Sequence, residues 1–102
     1  MGEIFSVTFN FHPDAEAEFN EAIDYFENKQ VGLGRDFAIE VYLTIDRVLS
    51  FPKAWAILEG KIRRSLVNRF PYGLLYAEEN GGIFILAVMH LHRDPDYWKY
   101  RM

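Results

Sequence analysis

The sequence predicts an α+β domain of order β-αα-βββ, an N-terminal strand, a helical hairpin and a mostly antiparallel four-stranded sheet. Three observations lead there. Residues 4–11 alternate Phe5, Val7, Phe9 and Phe11 with Ser6, Thr8 and Asn10, the period of a half-buried strand. Two stretches of helical periodicity then meet at Gly32-Leu33-Gly34. Beyond residue 60 the pattern turns to short β-rich runs, two of them joined by Glu79-Asn80-Gly81-Gly82, whose Asn and Gly tolerate the positive φ of a hairpin turn.

The first helix opens at His12-Pro13-Asp14. Proline suits the first helical position because its missing N–H would be unpaired there anyway, and Asp14, Glu16 and Glu18 favour the positive end of the helix dipole. Ala15, Phe19, Ala22, Ile23 and Phe26 form its apolar stripe. In the second helix Phe37, Val41, Ile45, Val48 and Leu49 share a face, and Phe51-Pro52 ends it, since a residue before proline avoids helical backbone. A loop is expected around Lys53 to Gly60, then strands at 61–67, 72–77 and 83–91. The last strand is apolar at both parities, so it belongs inside the sheet, covered on both faces. Asp94 to Met102 reads as a short tail with one helical turn.

At 102 residues the chain is read as one domain, 1–102, large enough for a single two-layer core. The longest apolar run, Ile83 to Met89, has strand length, so no membrane partner is expected, and no secretion signal is evident. The absence of cysteine excludes disulfides, thiolate metal sites and cysteine nucleophiles, and fits a cytoplasmic location. The net charge of −4 is uneven: residues 1–50 carry ten Asp/Glu against three Lys/Arg, residues 51–102 five against eight. A uniformly basic nucleic-acid footprint is therefore excluded, while a local basic patch is not.

The candidate chemistry lies in the last third. Arg63 and Arg64 are neighbours on a strand and must point to opposite faces. With Arg69 and Arg93 they would suit a phosphate or carboxylate, because the planar guanidinium fork binds such groups bidentately; structural ion pairs with the fifteen acids are the alternative. By parity His90 and His92 extend the face of Phe84, Leu86 and Val88, where an imidazole is placed either for proton transfer or for a simple hydrogen bond at the core's edge. A His-x-His pair without a third ligand at matching spacing does not make a metal site, and no cofactor motif is present. Tyr97, Trp98 and Tyr100 either stack a base or a partner side chain, or fold back as a hydrophobic lid.

The chain also resembles the RelE/ParE toxins of bacterial type II toxin–antitoxin systems, the plasmid stabilisation proteins. The resemblance is carried by Ala22-x-x-Tyr25-Phe26-Glu27, Gly32-Leu33-Gly34-x-x-Phe37, Pro52-x-x-Trp55 and Ile62-Arg63-Arg64. It continues in Arg69-Phe70-Pro71-Tyr72-x-x-x-Tyr76 and in His90-x-x-Arg93-x-Pro95-x-Tyr97-Trp98-x-x-Arg101. It implies a cytoplasmic toxin neutralised by a cognate antitoxin protein, which would lie along the helical hairpin or the sheet edge as an amphipathic helix or an added strand. RelE-like members cut mRNA on the ribosome, and ParE-like members poison DNA gyrase. The resemblance matches Arg64 to the strand arginine near the scissile phosphate, Arg93 to the arginine after the last strand, and Tyr97 to the C-terminal tyrosine. With His90 these form the candidate catalytic set. Arg63, Arg69, His92, Trp98 and Arg101 are candidate binding residues. The lysine-rich stretch of the nucleases is missing, since only Arg47 and Lys53 stand there, and a pI of about 5.3 fits poorly with a ribosomal docking partner. The ParE-like side is therefore favoured, with a RelE-like mRNA endonuclease or a non-toxic interaction module as alternatives and room for a homodimer.

Overall fold

The computed structural model describes residues 8–102. Its elements run β1 (Phe9–Phe11), α1 (Pro13–Lys29), α2 (Leu33–Ser50), β2 (Ala56–Glu59), β3 (Ile62–Leu66), β4 (Tyr72–Glu79), β5 (Gly82–His90) and a closing 3₁₀ turn, Lys99–Arg101. The first part of the expected N-terminal strand, residues 4–7, lies outside the described residues. The sheet order is β1-β5-β4-β3-β2; β1 pairs parallel to β5 and every other pair is antiparallel. β5 thus lies inside the sheet, as its two apolar parities require.

One expectation is corrected. The segment read as a loop around Lys53 to Gly60 contains the edge strand β2, giving five strands rather than four. All four residues of β2 are exposed, so burial imposed no alternation on its sequence.

The helices form as their stripes dictate. Pro13 takes the first position of α1 and the His12 Nδ1 accepts from the Asp14 N–H at 3.0 Å, capping the helix. Gly32 supplies the left-handed φ of 89° between the helices. Two orphan N–H groups at the start of α2, on Gly32 and Gly34, donate to the Glu27 carboxylate of α1 at 2.9 and 3.0 Å. The helices touch there, because a Cβ on Gly34 would stand 2.6 Å from the Ile23 carbonyl oxygen. Asn80 and Gly81 have φ of 51° and 76°, the pair of positive values that a two-residue hairpin turn of the expected kind needs.

Two hydrophobic cores flank the sheet. Between sheet and helices lie Ala15, Phe19, Phe37, Val41, Ile45 and Val48 against Tyr72, Leu74, Tyr76, Ile83, Ile85 and Val88. On the other face Ile62, Leu75, Ala77, Leu86, Ala87 and Met89 are covered by Trp98, only 1% exposed, whose Nε1 donates to the Pro95 carbonyl at 2.6 Å. Of the two readings of the C-terminal aromatics, the lid holds for Trp98.

The register changes once in β5. Leu75 faces Ala87 while Tyr76 faces Ile85, so Leu86 is an extra residue, a β-bulge. Phe84 ahead of it and Leu86 itself face the Trp98 side; beyond it Val88 faces the helices. The parity argument that put His90 on the face of Phe84 and Leu86 is thereby corrected. His90 pairs with Tyr72, a residue of the helix-side core, and points towards α1.

Candidate functional site

The bulge positions the site. An extra residue leaves ladder groups without strand partners, and two side chains take them up. Glu18 of α1 accepts from the Val88 N–H at 3.1 Å, and Arg101 donates to the Leu86 carbonyl at 3.0 Å. The same two side chains form a bidentate pair, with Arg101 Nη1 and Nη2 each 3.0 Å from a Glu18 oxygen. Their side chains are 4% and 12% exposed, so this charge pair is desolvated and fully engaged. Burial alone would lower the affinity of Arg101 for its proton. The hydrogen bonds with Glu18 and Tyr100 outweigh it and hold the guanidinium charged.

Above this pair is a cavity of about 240 Å³ lined by Glu18, Glu21, Tyr25, Tyr72, His90 and Arg93. Arg93 Nη1 lies 3.5 Å from Glu18, and its guanidinium stacks over the Tyr97 ring at 3.7 Å. Its side chain stays 53% exposed, so one edge of the fork faces solvent. The Tyr97 hydroxyl is buried beside Glu18 and, among the described residues, makes no hydrogen bond of good geometry. Burial, reinforced by the Glu18 carboxylate, pushes its phenol well above the usual tyrosine range. At neutral pH Tyr97 is a protonated platform under Arg93.

The His90 ring packs edge-on to Tyr72 at 5.2 Å and to His92 at 5.3 Å. Its Nδ1 accepts from the His92 N–H at 3.1 Å, so in the neutral ring the proton sits on Nε2. His92 is thus tied to His90 through both ring and backbone.

The remaining candidates are dispersed. Arg63 faces the helix side and donates to the Lys53 and Trp55 carbonyls at 3.2 and 2.7 Å, tying the segment before β2 to β3. Arg69, at a positive φ of 71°, reaches Asp36 at 3.6 Å and Glu40 at 3.9 Å. Arg64 projects from the opposite side of β3, its stem lying over Gly73, and lines a separate cavity that shares no residue with that of His90. Arg93 therefore meets His90 in the cavity wall and Tyr97 beneath its guanidinium, while Arg64 stands apart. Arg101 and Trp98 hold the tail in place.

Glu18, the centre of the cluster, was absent from the sequence candidates, which assigned it to the helix dipole. The available signal was its spacing. It falls on the α1 stripe, three residues after Ala15 and four before Ala22, where an acid must find a partner on being buried.

A chain of the chromosomal ParDE TA system from P. aeruginosa has the same fold. It superposes with a TM-score of 0.71 over 85% of this chain and 98% of that chain, at 12% sequence identity. No family model and no curated protein matches this sequence. Among the described residues no helix is long and apolar enough to cross a membrane.

Proposed function

We propose that this chain is the toxin component of a bacterial type II toxin–antitoxin system of the ParE-like kind. It acts in the cytoplasm by binding a target such as DNA gyrase and is neutralised by a cognate antitoxin. The fold shared with the P. aeruginosa ParDE chain carries the reading, together with the motif resemblance. The candidate cluster supports action by binding rather than by cutting. Arg64, the arginine that the resemblance places near a scissile phosphate, lines a different cavity from that of His90 and Arg93. A phosphorane-stabilising site needs its cations and its proton carrier around one point.

Expression of the chain alone in bacteria tests this. The proposal expects growth arrest with a DNA-damage response and intact transcripts. Rapid loss of translation with codon-positioned mRNA cuts would replace it by the nuclease reading, and normal growth by the non-toxic module.

A further inference from the structure

The cavity beside Arg64 has a chemistry of its own. It measures about 370 Å³ and is lined by Arg47, Trp55, Ala56, Arg64, Leu66 and Asn68. The volume accommodates one large side chain with its flanking backbone. Two cations from different elements meet in its wall. Arg47, in the last turn of α2, donates from Nη2 to the Thr44 hydroxyl at 3.1 Å, and that buried hydroxyl is itself fixed by the Glu40 carbonyl at 2.7 Å. Arg64 is steered differently: Gly73 across the sheet leaves its stem room, since a Cβ there would come within 3.1 Å of it. Among the described residues neither arginine has a carboxylate within ion-pair distance, although acids outnumber bases in this chain. Trp55, which also lines the wall, has its Nε1 buried and, among the described residues, without a hydrogen-bond partner, an omission that proteins seldom tolerate.

We propose that this cavity is a receptor for a carboxylate side chain of a partner polypeptide, gripped by Arg47 and Arg64 with its apolar stem against Trp55, Ala56 and Leu66. The inference rests on reading the chain as a protein-binding module and deepens it. A polypeptide is favoured over a nucleic acid because a phosphate backbone calls for a run of cations, whereas this site has two, set in a mainly apolar wall on an acidic protein. β2 covers β3 only as far as Arg64, so the strand beyond it lies open beside the cavity for an approaching chain.

The test is a titration of the ¹⁵N-labelled full chain, followed by NMR, with a blocked heptapeptide of alternating leucine and glutamate. Its glutamine analogue, inorganic phosphate and a single-stranded oligonucleotide serve as the other arms. The expected result is a shift of the Trp55 indole N–H and the Arg47 and Arg64 side-chain N–H signals with the glutamate peptide alone, leaving the Trp98 indole unmoved. Arg64→Gln and Arg47→Gln should each weaken the peptide about tenfold or more, the worth of a hydrogen bond to a charged group. Lys61→Gln, which removes a cation on another surface, should leave it unchanged. Equal response to the glutamine peptide, stronger binding of phosphate or oligonucleotide, or an unmoved Trp55 signal would each overturn the proposal. The variant spectra show whether each protein is folded, and because no gyrase enters the assay, the site can fail while the toxin reading stands.

Discussion

Glu18→Ala is the most informative stability perturbation in this molecule. It leaves the Arg101 guanidinium, 4% exposed, with only the half-exposed Asp14 carboxylate, 4.0 Å away, as a counter-ion, and the Val88 N–H at the bulge without its acceptor. Removing one partner of a buried pair costs about 3–5 kcal/mol, because the remaining charge stays desolvated and unpaired. For a domain of this size that is a large share of the total stability and lowers Tm by roughly 12 °C or more. Urea unfolding followed by far-UV circular dichroism gives the free energy. Glu18→Gln keeps an acceptor but loses the charge and should fall between the two. The double variant Glu18→Leu/Arg101→Met removes both charges and should regain part of the loss, since no uncompensated ion remains. A cost below about 1 kcal/mol for Glu18→Ala, the worth of an exposed ion pair, would refute the view that this pair anchors the bulge.

Further outcomes follow from the same geometry. Trp98→Ala should cost about 3–5 kcal/mol by opening the second core, measured by the same urea unfolding. Gly34→Ala should destabilise by roughly 1–3 kcal/mol, because its Cβ meets the Ile23 backbone oxygen; a stabilised variant would show that the helices can part at no cost. Tyr76, buried with its hydroxyl donating to the Pro52 carbonyl at 2.6 Å, has its phenol pushed up to about 12 by burial, so ultraviolet titration of Tyr76→Phe should lose absorbance only at that alkaline end. Because the folded value lies above the ordinary 10, this group's contribution is complete below pH 10 and is lost as pH rises through about 12. The Asp14 carboxyl is held below its ordinary value of 3.8, first by the Tyr100 hydroxyl. Tyr100→Phe should raise it in an NMR titration, and the stability it adds is present above that ordinary value and fades as pH falls below it.

Much of the fold was legible because burial writes periodicity into a sequence. Phe37, Val41, Ile45 and Val48 mark α2, and the two apolar parities of β5 mark an interior strand. β2 was illegible for the converse reason: exposed on every residue, Ala56–Glu59 carries no alternation to read. The bulge at Leu86 was hidden too. The backbone groups it frees are taken up by Glu18 and Arg101, both distant in sequence, and no pattern within β5 announces it. One inserted residue reverses every side chain beyond it, so the inferred facing of His90 inverted although the strand itself was placed correctly. Among the candidate site residues, type and position were readable, but engagement was not. Arg93 and Arg101 look equivalent in sequence, yet one is half-exposed over Tyr97 and the other is buried against Glu18.

Adding the purified chain to DNA gyrase and relaxed plasmid separates action by binding from action by cleavage. Binding predicts loss of supercoiling or trapped cleavage complexes, with a ribosome-bound message left uncut by the same preparation. Unimpaired gyrase together with cleavage of that message, abolished in Arg64→Ala, would contradict it.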